Sequence, residues 1–276
     1  MEQVLKTMLE NVRAKSPLVH NITNYVTVND VANVLLAAGG SPIMSDDADD
    51  VEDITNICGG LNINIGTLNK NTIPSMFLAG KKANALGHIV LLDPVGAGAS
   101  RLRTDTANRL MREVRFDAVR GNISEIKTLC TGSGSTKGVD ADAVDAVTEA
   151  NLGDGVALVK AFAKQTGCII AVTGAIDLVS DGERCWCIRN GRAEMSRITG
   201  TGCQLSALMT AFLVANPDRK LDAAAAAVCM MGLAGEIGWA NMQPGDGNST
   251  YRNRIIDAIF NMTGDALEEG AKYELR

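Results

Sequence analysis

Two spacings of apolar residues alternate along this chain. In LNINIGTL (61–68), HIVLLDPV (88–95), FDAVRGN (116–122) and CIIAVTGA (168–175) they crowd into short runs. Such runs, bounded by turn-forming residues, predict buried strands. Between them apolar residues return at helical spacing. The stretches 26–38, 71–85, 103–114 and 153–164 predict helices, with Ile73, Met76, Phe77 and Ala83 as the apolar positions of the second. The opening MEQVLKTMLENVRAK predicts one more, amphipathic and of mixed charge. DLVSDG and RCWCIRNG predict short antiparallel strands, with Asp181-Gly182 and Asn190-Gly191 as tight turns. Cys185 and Cys187, two apart, then share one strand face. Three long helices close the chain. Within them 205–215 and 223–234 are mostly apolar, which predicts buried core helices.

Apolar strands alternating with helices predict an α/β fold: three layers, a mostly parallel central sheet with helices on both faces. The chain has 276 residues, no repeat and no low-complexity linker, so a single domain over 1–276 accounts for it. In such folds ligands bind beyond the carboxyl ends of the strands. The strand exits are Gly66-Thr67, Asp93-Pro94-Val95-Gly96-Ala97-Gly98, Arg120-Gly121-Asn122 and Thr173-Gly174. Each offers glycine or a functional polar group, and four together mark a candidate site.

The stretch RITGTGCQLSALMT adds chemistry to that rim. Gly200, Thr201 and Gly202 let backbone N–H groups approach a ligand, and the helix that follows makes its N-terminus an anion site. The plain alternative is a glycine-rich turn that only starts a core helix. Cys203 falls in the first helical turn, where its thiolate is favoured and could take a proton; the alternative is a small buried apolar residue. Asp93 ends a strand and could hold Mg²⁺ or cap a loop. Arg120 can fork onto phosphate oxygens. Asn122 or Ser124 can cap a helix carrying Glu125 in its first turn, and Glu125 could instead reach the metal. His20-Asn21-Ile22-Thr23-Asn24 is a polar cluster before a helix, suited to capping or to lining a small-molecule pocket. Met44 is core filler or a pocket wall. TGSGSTKG (131–138) lacks the order of a P-loop and reads as a connection. Gly96 and Gly98 imitate a dinucleotide fingerprint, but Arg101 stands where its third glycine belongs.

Charge and cysteine usage narrow the field. Net charge is -6 and Lys and Arg form no block, which argues against nucleic acid. No apolar run reaches the ~18 residues of a membrane span, and the N-terminus has no signal-peptide core. Seven cysteines without a C-x-x-C pair, beside only two histidines, supply a zinc site poorly. Scattered unpaired cysteines without an export signal point to a reducing cytoplasm. A cysteine hydrolase would need His20 or His88 as its base. A Rossmann oxidoreductase and a non-catalytic nucleotide-binding protein remain as other classes.

Taken in order, HNITN, GGSPIM, DPVGAGAS, RGNISE and TGTGC resemble the hydroxyethylthiazole kinases of thiamine salvage, within the ribokinase-like superfamily. The resemblance runs from His20 through the last helices. It implies a ribokinase-like fold without a separate lid. It implies phosphoryl transfer from ATP, with Mg²⁺, to the alcohol of 4-methyl-5-(2-hydroxyethyl)thiazole. By matching motif, Met44 and Gly200 would touch the thiazole and Asn24 would line its pocket. Arg120 and Thr173 would contact ATP, and Asp93 and Glu125 would serve Mg²⁺. Cys203 stands where much of the superfamily has an aspartate as base, which makes it an assisting base beside the anion hole of Gly200, Thr201 and Gly202. The family is similar in forming homotrimers with sites between subunits. A pyrimidine or pyridoxal kinase, or a nucleotide-repair dehydratase, is the nearest competing activity, and Cys203 speaks against it.

Overall fold

A computed structural model describes residues 3–132 and 146–276. The chain runs α1 (Val4–Lys15), β1 (Leu18–Ile22), α2 (Val28–Ala38), β2 (Ser41–Met44), α3 (Val51–Ile57), β3 (Gly60–Asn64), α4 (Thr72–Leu86) and β4 (Ile89–Asp93). It continues α5 (Arg101–Glu113), β5 (Ala118–Asn122), α6 (Ile123–Thr131), α7 (Leu152–Thr166), β6 (Ile169–Thr173), β7 (Asp177–Ser180) and β8 (Cys185–Ile188). It ends α8 (Thr201–Ala215), α9 (Lys220–Ala240), α10 (Asn248–Asn261), α11 (Gly264–Gly270) and β9 (Tyr273–Leu275).

Among the described residues the strands form one nine-stranded sheet in the order β2-β1-β3-β4-β5-β6-β7-β8-β9. The six from β2 to β6 are parallel, and β7, β8 and β9 are antiparallel additions. From β1 the chain steps outward to β2, then crosses back past β1 to β3. Right-handed crossovers in opposite directions put their helices on opposite faces, so the sheet is covered on both. Leu91, Ala171, Val179 and Trp186 pack with α1, α8, α9 and α10. Their strand neighbours Leu92, Val172, Leu178 and Cys187 pack with α4, α5, α6 and α7. This is the period of two that a strand imposes.

Some elements differ from their sequence expectation. HNITN is the end of β1 and the loop after it, so the polar cluster begins inside the sheet. SPIM forms β2, α3 follows it, and Tyr273–Leu275 adds an edge strand beyond the closing helices. The stretch read as 61–68 is strand only through Asn64. The P-loop-like stretch lies largely outside the described residues, as does most of 130–148. Pro217–Ala240 is long and apolar enough to cross a membrane, yet most of it is packed against α8, α10 and the sheet. A helix apolar on all sides is what a core requires.

His20, inside β1, is fully buried. Its Nε2 lies 2.9 Å from the Ser45 carbonyl, so Nε2 carries the proton and Nδ1 accepts from Thr55 Oγ1 at 3.0 Å. Burial holds its pKa below the ordinary 6.5. The unfolded chain then binds more protons below that value, so His20 supports stability above it and the support fades as pH falls. Between about pH 7 and pH 5, the Tm of the wild type should fall about 2–4 °C further than that of His20→Gln. Parallel melting curves for the two proteins would refute this.

Candidate active site

The candidate residues converge at the carboxyl ends of the parallel strands. Met44 closes β2, Asp93 closes β4, Arg120 lies near the end of β5, and Thr173 closes β6. Asn24 sits in the loop after β1. Gly200 precedes α8, and Cys203 lies in its first turn.

Asp93 is the most enclosed of them, with no exposed surface. Its Oδ2 accepts from Asn64 Nδ2 at 2.7 Å and from Ser206 Oγ at 2.8 Å. Among the described residues its Oδ1 accepts no hydrogen bond. The Arg120 guanidinium stands 3.6 Å from that oxygen and donates to Thr173 Oγ1 at 2.6 Å. Burial pushes the Asp93 carboxyl above the ordinary carboxylate range, while Arg120, Ser206 and Asn64 oppose the rise.

Arg120 also meets the start of α8. A Cβ on Gly202 would lie 2.5 Å from one guanidinium nitrogen and 2.6 Å from the other. Only a bare backbone lets the helix terminus come this close. The first-turn N–H groups have no intrahelical acceptor, so two sources of positive potential face one spot. Such a spot favours an anion. Gly200 has φ +87°, and a side chain there would strike Thr27. Glycine is required on both counts.

On the other flank, Asn24 Nδ2 donates to Asn64 Oδ1 at 3.0 Å and to Cys203 Sγ at 3.2 Å. Asn24 Oδ1 accepts from the Thr27 N–H and hydroxyl, both at 3.1 Å. Met44 and Cys203 each pack against the small cluster of Val19, Val31, Leu35, Ala207 and Ala211. The expectation that the helix terminus favours a Cys203 thiolate is corrected here. Burial, then the nearby Asp93 charge, push the thiol up, and Arg120, Asn64 and Thr27 only partly offset them. Cys203 rests as a thiol.

Glu125 belongs to a capping box. Asn122 Oδ1 accepts from the Glu125 N–H, and Glu125 Oε2 accepts from the Asn122 N–H, each at 2.8 Å. Glu125 Oε1 takes the Gly96 N–H at 2.7 Å, which ties the loop after β4 to α6. Burial and the Asp93 charge push Glu125 up to about 7. The Asp93 charge raises the proton affinity of Glu125, and Asp93 Oδ1, which accepts no hydrogen bond among the described residues, is the oxygen a cation would take. Among the described residues no three His, Cys, Asp or Glu side chains converge, so no closed metal cage exists. One open carboxylate oxygen, on Asp93, with the Glu125 carboxyl beside it, fits Mg²⁺, which needs one or two carboxylates and completes its shell with phosphates and water.

Three contributors were missed from sequence: Asn64, Ser206 and Thr27. Asn64 is the hub that joins the Asp93 and Cys203 flanks. Its signal was a second asparagine, after Asn62, at the exit of a short buried strand. His20 lies outside this cluster. Two adjoining clefts of about 620 and 570 Å³, sharing Arg115, Phe116 and Thr166, lie at the opposite rim of the sheet. Convergent chemistry, not cleft volume, locates the site.

The chain is similar to known proteins over most of its length. The model of the hydroxyethylthiazole kinase family matches residues 9–265. The hydroxyethylthiazole kinase of Clostridium acetobutylicum is 57% identical over 271 residues, covering 98% of this chain and 99% of that protein. The one from Ruminiclostridium cellulolyticum is 48% identical, with 96% and 95% covered. The structure of hydroxyethylthiazole kinase from Pyrococcus horikoshii OT3 superposes with a TM-score of 0.88 at 32% identity over the full length of both chains. Staphylococcus aureus pyridoxal kinase, in complex with AMP-PCP and pyridoxal, shares the fold at a TM-score of 0.60 and 13% identity. The chain belongs to the hydroxyethylthiazole kinase family.

Proposed function

We propose that this protein transfers the γ-phosphoryl group of ATP to the hydroxyl of 4-methyl-5-(2-hydroxyethyl)thiazole, in thiamine salvage in the cytoplasm. The observation that carries the reading is the meeting of Asp93, Arg120 and the α8 N-terminus beside the Asn24–Cys203–Met44 flank. An anion site and a small half-apolar wall stand next to each other. That is what a phosphate donor and a heterocyclic alcohol need.

The residues divide the work. Arg120 and Thr173 hold the nucleotide phosphates. The N–H groups around Gly200, Thr201 and Gly202 receive the phosphoryl group as it moves. Met44, Gly200 and Asn24 seat the thiazole with its hydroxyl toward that group. Asp93 and Glu125 would hold Mg²⁺, which when bound neutralises phosphate charge. The alcohol oxygen bonds to the γ-phosphorus as the bond to the β-phosphate oxygen breaks. Phosphoryl transfer depends mainly on positioning and charge, and little on a base. With its thiol protonated at rest, Cys203 assists by positioning the substrate hydroxyl more than by taking its proton. Cys203→Ala should keep measurable turnover, about tenfold to a hundredfold below wild type. Complete loss with nucleotide binding intact would contradict that role.

We also propose that the site is completed by a neighbouring subunit of a homotrimer. Tyr25 and Val26, directly after Asn24, are 78% and 57% exposed, and an apolar rim beside a site suits a subunit contact. Light scattering on the purified protein tests the trimer. Release of ADP from Mg-ATP tests the activity, measured with the thiazole alcohol, hydroxymethylpyrimidine, pyridoxal or no acceptor. Stimulation by the thiazole alcohol alone, with its phosphate ester recovered, is expected. Stimulation by another alcohol would keep the kinase and discard the substrate. Nucleotide binding without any turnover would favour a binding protein.

A further inference from the structure

The turn between β6 and β7 carries a residue that the site has not yet used. Thr173 ends β6, and Asp177 begins β7. Between them, Ile176 is buried in the core, while Gly174 and Ala175 are exposed. The Asp177 side chain reaches back across the turn, and its Oδ1 accepts the Gly174 N–H at 2.8 Å. Gly174 directly follows the residue that receives the Arg120 guanidinium. Asp177 also lies within electrostatic reach of Arg120.

Gly174 itself supplies a second observation. Its φ is outside the left-handed region, and a Cβ there would meet nothing within 4 Å. The fold has no need of glycine at this position. A bare backbone facing open space beside Thr173 leaves room for a ligand to approach closely.

We propose that Asp177 is the positioning residue of the nucleotide clamp. By holding the Gly174 N–H it fixes the Thr173–Gly174 turn, and so the angle at which Thr173 Oγ1 meets Arg120. This rests on the kinase reading and deepens it: the turn is where the nucleotide phosphates meet the backbone. A free turn would let Thr173 rotate away, and Arg120 would keep Asp93 as its main anchor. Asp177 itself touches no reacting atom. Its loss weakens the nucleotide site and leaves the thiazole flank, on the far side of Asp93, as it is.

The test compares Asp177→Ala with Asp177→Asn. Asparagine keeps an acceptor oxygen for the Gly174 N–H, and alanine does not. Asp177→Ala should raise the nucleotide KM and the calorimetric Kd for Mg-AMP-PCP about tenfold, with the thiazole KM unchanged. Asp177→Asn should stay within about twofold of wild type. Hydrogen exchange at the Gly174 amide should quicken in the alanine variant alone. If Asp177→Ala does not fold, Asp177→Leu, close to asparagine in shape but without an acceptor, carries the test and should raise the nucleotide KM about tenfold. The inference is overturned if Asp177→Ala leaves nucleotide affinity within about twofold, if alanine and asparagine lose equally, or if both substrates' KM values rise together. Wild-type protein that binds no Mg-AMP-PCP would bring down the kinase reading itself, and this inference with it.

Discussion

Arg120→Ala should lower kcat/KM for Mg-ATP about a thousandfold, close to 4 kcal/mol of transition-state stabilisation. The guanidinium does three things at once. It faces Asp93 Oδ1, donates to Thr173, and lies against Gly202 at the α8 N-terminus. Lysine cannot copy the fork, so Arg120→Lys should recover only a small part of the loss. Stability suffers too. Asp93 has no contact with solvent, and removing the partner of a buried charge costs about 3–5 kcal/mol. Its carboxyl is already raised by burial and rises further without Arg120. The folded chain then binds more protons than the unfolded one. Stability is kept at low pH and lost as pH climbs above the ordinary carboxylate value. Adding Asp93→Asn should remove that decline in thermal melts and leave the activity low. If Arg120→Ala keeps near wild-type turnover, the clamp is misassigned.

Asp93→Asn alone should cut Mg²⁺-dependent turnover about a hundredfold, near 2.7 kcal/mol, and shift the Mg²⁺ requirement upward. The asparagine oxygen can still accept from Asn64 and Ser206, so the local geometry survives. What is lost is the charge at Oδ1, which accepts no hydrogen bond among the described residues. Burial already disfavours that charge in the resting protein. Removing it relieves that cost but leaves the Arg120 guanidinium facing an amide, so the variant's Tm should fall alongside activity. Magnesium titrations of rate, beside melting curves, check both halves. An unchanged Mg²⁺ dependence would sink the assignment of Asp93 to the metal.

Much of this molecule is legible in the order of its residues. The apolar runs at 88–95, 116–122 and 168–175 contain β4, β5 and β6, because buried parallel strands need little more than continuous apolar side chains. The capping box of α6 is visible in Asn122 and Glu125, since its partners are three residues apart. Weaker local signals were lost. Half-buried SPIM becomes β2 only because β1 offers it a ladder. Tyr273–Leu275 becomes β9 only because β8 has a free edge beside it.

The sequence by itself determined the alternation of strands and helices, the glycines and polar groups at strand exits, and the motifs that mark the family. These are local quantities, set by spacing and by residue chemistry. The tertiary structure alone decided that Asn64 and Ser206 occupy Asp93 Oδ2, that Arg120 packs on Gly202, and that Cys203 rests as a thiol. Each joins segments far apart in the chain. Ser206 and Asp93 are 113 residues apart, and Asn24 and Cys203 are 179 apart. Burial and neighbouring charge set proton affinity, and neither exists until the sheet and α8 have closed on each other.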